Sequence, residues 1–239
     1  MPTDRSQSRF CVIIPAYQEA DRIYWVVKGV QRHCPDIIVV DDGSPDGTSD
    51  QARSAGAVVL RHESNRGKGA ALTTGFHYAE EHDYDVVITM DGDGQHAPDD
   101  VRRLKEAYIR TGTPVLVGNR MADAKSIPVI RRMTNRLATR MLNRRMQTYV
   151  PDTQCGFRLY RCDVIPHVSV AAQGRDAESE MLMHIATRHI RIDSIPVQVT
   201  YGSQKSTVKP VRDTLRFFMM VWRASLYSRR RAAGIRCKR

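Results

Sequence analysis

Five short apolar runs punctuate the first half of the chain: Phe10 to Ile14, Ile37 to Asp41, Val58 to Leu60, Asp85 to Met90 and Val115 to Val117. They read as apolar throughout rather than alternating with polar residues, which suits strands buried on both faces. Segments with helical spacing separate them, at Glu19 to Arg32, Gly47 to Ala55, Lys68 to Glu81 and Pro98 to Thr111. Strand and helix in regular alternation predict a Rossmann-like, mostly parallel α/β sheet covered by helices, with ligands beyond the carboxyl ends of its strands.

The pattern changes after Gly118-Asn119-Arg120. Pro128 to Met146 reads as an amphipathic helix, with Ile130, Met133, Leu137 and Met141 on one side and Arg132, Arg136, Arg140 and Arg144 at i, i+4 spacing on another. A loop from Tyr149 to Phe157, a short strand Arg158 to Tyr160, a helix Ala177 to Arg188, a strand Ile192 to Tyr201 and a loop Gly202 to Lys209 follow. The chain then divides into a polar tail over 1–9, a catalytic domain over 10–210 and a basic amphipathic helix with its tail over 211–239. The apolar run Phe217 to Trp222 in that last helix is far shorter than the ~20 residues of a bilayer span, and its arginines suit an anionic membrane interface.

Charge supports a phosphate-rich partner. Between Arg120 and Arg145 lie eight basic residues and one acid, and between Arg212 and Arg239 nine and one, while the chain as a whole carries +11. No recognised nucleic-acid signature accompanies them, so nucleic acid is not an expected partner. No apolar leader follows the polar N-terminus, and the five cysteines lack zinc-ligand spacing. Reduced thiols and a cytoplasmic location are the expectation.

Carboxylates stand where the strands should end. Glu19 follows Pro15-Ala16-Tyr17-Gln18, Asp41 and Asp42 precede Gly43-Ser44, and Asp91 and Asp93 sit in Asp91-Gly92-Asp93-Gly94-Gln95. Two carboxylates at i and i+2 on a glycine-rich turn, with Gln95 adding an oxygen, suit a hard divalent ion such as Mg2+ or Mn2+. Asn65-Arg66-Gly67-Lys68-Gly69 opens a helix and is placed to offer N–H groups to phosphate. His33, His62, His77 and His96 read as surface or packing residues.

Taken in order, Ile14 to Glu19, Val40 to Ser44, Asn65 to Gly69, Asp91 to Gln95 and Gly118 to Arg120 resemble the motifs of family 2 glycosyltransferases. Asp152-Thr153-Gln154-Cys155-Gly156-Phe157-Arg158, Glu178-x-Glu180 and Gln204-Lys205-Ser206 are similar to the later motifs of the polyprenyl- and dolichyl-phosphate sugar transferases. The resemblance implies a glycosyltransferase A fold and inverting transfer of glucose or mannose from UDP-glucose or GDP-mannose to a polyprenyl phosphate.

Carried over by position, it gives Pro15, Tyr17, Glu19 and Asp42 to the nucleoside. Asp91, Asp93 and Gln95 would hold metal and diphosphate, and Arg120, Arg131 and Asn135 the acceptor phosphate. Lys68 and Lys205, or Lys209 or Arg212, would serve the diphosphate. Asp152, Glu178 or Glu180 would supply a base if the acceptor were instead a hydroxyl of a glycan or glycolipid, the alternative reading. The enzyme would sit peripherally on the inner membrane face, reached through its arginine-rich helices or a membrane-protein partner.

Overall fold

The computed structural model describes residues 4–122, 129–167 and 177–199. Within them the chain forms β1 (Phe10–Ala16), α1 (Ala20–Gln31), β2 (Ile37–Asp41), α2 (Thr48–Ser54), β3 (Val58–Arg61), α3 (Lys68–Glu81) and β4 (Val86–Thr89). Then come α4 (Asp99–Thr111), β5 (Val115–Asn119), α5 (Val129–Met146), β6 (Arg158–Arg161), α6 (Ala177–Ala186) and β7 (Ile192–Pro196). The basic C-terminal helix and the Lys205 loop lie outside the described residues.

The seven strands form one sheet in the order β3-β2-β1-β4-β6-β5-β7. β1, β2 and β4 are the apolar runs of the sequence, and Cys11 to Ile14, Val39, Val40 and Val86 to Ile88 are essentially inaccessible to solvent. Valine and isoleucine suit this setting because their branched side chains lose little freedom in a strand. β3 is an edge strand, and its ends Val58 and Arg61 are exposed.

The second half departs from uniform alternation. β5 does not follow β4 across the sheet; β6 inserts between them antiparallel to both, pairing Thr89 with Arg158 and Val117 with Arg158. This inversion has a functional consequence. The parallel strands end at the carboxyl edge, whereas β6 begins there, so the loop 152–157 and the residues after Ala16, Asp41, Thr89 and Asn119 meet at one edge. Strand β7 ends at Pro196 and Val199 forms a single bridge with His96, while residues 200 and 201 of the expected strand lie outside the described residues.

α5 also turns differently from its reading. Met133 and Leu137, expected on an apolar side, face solvent at 65% and 60% exposure, while Thr139, Leu142 and Met146 are buried. The loop beyond the helix accounts for this orientation: Asn143 accepts the N–H of Val150 and donates to its carbonyl, tying that face to the chain running back to the sheet. Among the described residues no helix is long and apolar enough to cross a membrane, and the four described cysteines are free thiols.

α3 crosses β1 closely enough that a Cβ on Gly75 would lie 2.6 Å from Ile13 Cγ2. Gly75→Val should therefore overpack this contact and lower stability by about 1–3 kcal/mol in urea unfolding; unchanged stability would show that α3 can lift from the sheet without loss.

Candidate active site

At the first edge position the chain turns sharply after Tyr17. Gln18 adopts φ 59°, and its N–H donates to Ser44 Oγ while that of Glu19 donates to Thr48 Oγ1, both at 2.9 Å. The turn is thus locked to the loop after β2, leaving Tyr17 42% exposed and Glu19 partly buried. Burial raises the Glu19 carboxyl above its ordinary value despite Arg22 at 2.9 Å.

Asp41 and Asp42 are buried and organise backbone. Asp41 accepts from Ser44 N–H and Ser49 Oγ. Asp42 accepts the N–H groups of Arg66 and Gly67 at 2.9 and 2.7 Å, and its Oδ1 also lies 2.7 Å from His62 Nδ1. Because a carboxylate only accepts, His62 Nδ1 carries a proton, and the other ring nitrogen lies 2.9 Å from Thr74 Oγ1. Two N–H groups expected to offer themselves to phosphate are therefore already committed to Asp42, and His62, read as packing, is the buried strut behind it.

The Asp91 turn forms a charge cluster. Lys68 Nζ contacts Asp91 Oδ1 and lies 2.6 Å from Glu178 Oε1, an atom without an aligned hydrogen bond among the described residues. Burial would lower the Lys68 pKa, but the two carboxylates hold it well above its ordinary value. Burial likewise opposes the charge on Asp91, and Lys68 and His96 override it, holding the carboxyl far below its ordinary range. His96, also read as surface or packing, is 5% exposed, tilted against Phe157 and 3.8 Å from Asp91 Oδ2.

Asp93 behaves oppositely: burial first, and then Asp91, push its carboxyl up. Its Oδ1 accepts the Gln95 N–H at 3.0 Å. A buried carboxylate destabilised by its neighbour is what a cation relieves, so Asp91, Asp93 and the Gln95 amide fit a hard divalent ion. Among the described residues no three His, Cys, Asp or Glu side chains converge on a metal position, so further ligands would come from substrate.

Gly156 forms the floor of this cluster. A Cβ there would lie 2.5 Å from Glu178 Oε1, 2.9 Å from Lys68 Nζ and 3.0 Å from Asp91 Oδ2, so glycine is what lets three charged groups meet over backbone.

The loop that carries Gly156 also carries Asp152, which has no exposed surface. It receives Arg120 Nε and Nη2 at 2.8 and 3.0 Å and Asn135 Nδ2 at 3.0 Å. Burial alone would raise its pKa, yet the Arg120 guanidinium and Asn135 hold it below the ordinary carboxylate value. A base candidate in the sequence is thus placed as the clamp of two other site residues. Arg131 lies in α5 but its side chain is outside the described residues, as is Lys205. Glu180 is partly buried, with His184 4.0 Å away.

Arg158 closes the Asp152 to Arg158 motif but was given no role of its own in the sequence. It has no exposed surface and donates to the carbonyls of Cys155, Thr153 and Glu178 at 2.6, 2.9 and 2.6 Å and to Tyr160 Oη at 3.3 Å. An arginine set between Phe157 and Leu159 at the start of an apolar strand was the available signal, since such a charge is buried only when fully bonded.

Comparison with known proteins adds three findings. The model of glycosyl transferase family 2 matches residues 11–168. Polyprenol monophosphomannose synthase of Mycolicibacterium smegmatis is 32% identical over 230 residues, covering 89% of this chain and 86% of that protein. The UDP-N-acetylglucosamine–dolichyl-phosphate N-acetylglucosaminyltransferase of Methanococcus voltae is 30% identical over 213 residues, covering 80% and 85%. Among solved structures, glucosyl-3-phosphoglycerate synthase of Mycobacterium tuberculosis with UDP superposes at a TM-score of 0.76 with 18% identity, covering 92% of this chain and 81% of that one. A complex of that enzyme with Mn2+, UDP and glucosyl-3-phosphoglycerate superposes at 0.69. The fold is therefore that of the glycosyltransferase A type.

Two outcomes test the clamps. Arg158→Met should lower stability by about 2–5 kcal/mol in urea unfolding, because three buried carbonyls lose their donor; a loss under 1 kcal/mol would show that the carbonyls find other partners. A carboxyl depressed in the folded state stabilises above its unfolded pKa of about 3.9, and that contribution is lost as pH falls through the folded value. Asp152→Asn should therefore flatten the fall in stability below about pH 4, and an acid limb unchanged from the parent protein would contradict this.

Proposed function

The chain belongs to glycosyl transferase family 2, and on that premise we propose that it transfers a hexosyl group from a nucleoside diphosphate to a polyprenyl phosphate, acting peripherally at the cytoplasmic membrane face. The observation that carries the acceptor is the Asp152 clamp. A wholly buried carboxylate spends its charge on fixing Arg120 beside Asn135, at the same sheet edge as Asp91 and Asp93. Arginine is the side chain suited to planar, bidentate recognition of phosphate. The relatives named for polyprenol and dolichyl phosphate support the same assignment.

In this scheme residues 10–210 are the catalytic unit. Pro15, Tyr17, Glu19 and Asp42 bound the nucleoside position, with Asp42 acting through the turn that it and His62 hold. Asp91, Asp93 and Gln95 would hold Mg2+ or Mn2+ together with the donor's diphosphate, and the ion would supply neutralisation of the charge that develops on the leaving group. The Mn2+ and UDP of the structural neighbour support that choice. Lys68, kept cationic by Asp91 and Glu178, adds positive charge at the diphosphate, as would Lys205.

Arg120, Arg131 and Asn135 orient the acceptor phosphate so that one of its oxygens attacks the anomeric carbon as the bond to the diphosphate breaks, giving inversion. A phosphate monoester is largely ionised at neutral pH and needs no strong base. Asp152 is consequently a positioning residue, and Glu178 sets the charge and place of Lys68.

Transfer from radiolabelled UDP-glucose, UDP-N-acetylglucosamine and GDP-mannose, with and without undecaprenyl phosphate, tests the proposal. Organic-phase label should require the lipid phosphate and a divalent ion, and should fall by about a hundred-fold or more in Asp93→Asn. Arg120→Lys should raise the acceptor KM while leaving donor binding intact. Label transferred only to a hydroxyl acceptor would overturn the lipid-phosphate assignment.

A further inference from the structure

The outward face of α5 is unexplained by the fold. At 100° per residue, Met133, Arg136, Leu137, Arg140 and Arg144 fall within an arc of about 100°, opposite the buried Thr139, Leu142 and Met146. Met133 and Leu137 are 65% and 60% exposed, and Tyr149, just beyond the helix, is 80% exposed. α5 contains no acidic residue, and among the described residues no carboxylate forms an ion pair with Arg136, Arg140 or Arg144. The three arginines also line a cavity of about 630 Å³ with Asn119, Met121 and Tyr149. Asn119 and Met121 flank Arg120 in sequence, so the basic row runs up to the proposed acceptor position.

We propose that this face is the surface on which the protein docks to an anionic lipid bilayer, the arginine row lying among headgroup phosphates with Met133, Leu137 and Tyr149 entering the boundary with the acyl chains. The lipid-phosphate reading requires a membrane partner without placing it, and this inference rests on that reading for its use but not for its test. In water the arginines at i, i+4 repel one another and the apolar side chains between them stay unburied, whereas at that interface each contributes. The 39 residues from 201 to 239 of this chain are a poor alternative cover. They hold eleven basic residues and one acid, so they would set like charge against the arginine row. The placement is economical: a helix whose inner face supplies Asn135 to the Asp152 clamp would hold the acceptor position at the lipid surface.

Flotation of the full chain with vesicles of phosphatidylcholine alone, and with about one third phosphatidylglycerol, reads the proposal directly. Binding should require the anionic lipid. Arg136→Gln/Arg140→Gln/Arg144→Gln should weaken it by about a hundred-fold, at roughly five-fold per arginine. Met133→Ser/Leu137→Ser should weaken it in a way that low salt does not restore. Arg229→Gln/Arg230→Gln/Arg231→Gln removes the same charge elsewhere and should retain most binding. Circular dichroism and UDP binding establish that each variant is folded.

Binding that survives the α5 triple change, or that falls as far with the C-terminal one, would overturn the proposal. So would preferential capture of a single-stranded oligonucleotide over anionic vesicles that the α5 change abolishes. Asp93→Asn should float like the parent protein although its transfer is impaired, which separates binding from chemistry; a parent protein that binds the vesicles yet makes no lipid-linked product would refute the acceptor assignment alone.

Discussion

Arg158 is the interaction on which the arrangement of the site depends. Its guanidinium sits at the start of β6, where the antiparallel strand leaves the carboxyl edge, and it collects the carbonyls of Thr153, Cys155 and Glu178. Two of those carbonyls belong to the loop carrying Asp152 and Gly156; the third belongs to the first turn of α6, which carries Glu178. The shared donor gives these two segments a common reference, and Gln154 Nε2 reinforces it by donating to Ser179 Oγ at 2.8 Å. A planar fork serves this purpose better than an ammonium, since its donors are fixed relative to one another. Thr89 completes the frame by donating to the Gly156 carbonyl at 2.9 Å, fastening the loop to β4 immediately before Asp91.

That frame lets opposite electrostatic demands coexist at one edge. Asp91 and Glu178 share Lys68, while Asp93, two residues from Asp91, is pushed toward the neutral form by burial and by Asp91. On the side proposed for the acceptor the sign is reversed: Arg120 is held by a carboxylate that burial would otherwise neutralise. A donor diphosphate and an acceptor phosphate are both anions and repel each other. Bringing them together requires cationic groups fixed beforehand at two positions, because mobile ones would follow whichever phosphate bound first. Each cation here is anchored by a buried carboxylate, which removes that freedom.

The parallel half of the sheet and its carboxylates were legible because both signals are local. Apolar runs mark β1, β2 and β4, and acids just beyond them mark the edge where ligands gather. The insertion of β6 was not legible, since a strand as short as Arg158-Leu159-Tyr160 does not state its direction. His62 and His96, read as surface or packing residues, are indeed buried, but what they support was not legible, because their partners Asp42 and Asp91 are twenty and five residues away. Gly156 carries no signal beyond its motif, because what it accommodates belongs to three other segments. The rotation of α5 was misjudged because a helix with apolar side chains on more than one face has no unique buried stripe, and the bonds between Asn143 and Val150 decided it.

Asp42 shows how a residue proposed for binding can first meet a structural demand. Its carboxylate is saturated by His62 and by the Arg66 and Gly67 amides, so it defines where α3 begins and hence where Lys68 emerges. Gly67, at φ 91°, permits the turn that delivers both amides to it. Lys68 in turn reaches across to Asp91, in the turn after β4, and to Glu178 on α6. The end of the site proposed for the nucleoside is therefore coupled mechanically to the end proposed for the diphosphate through a chain of charge-assisted bonds. A change at Asp42 would reach Lys68 even without touching a ligand, and loss of activity on its mutation would not by itself identify a nucleoside contact.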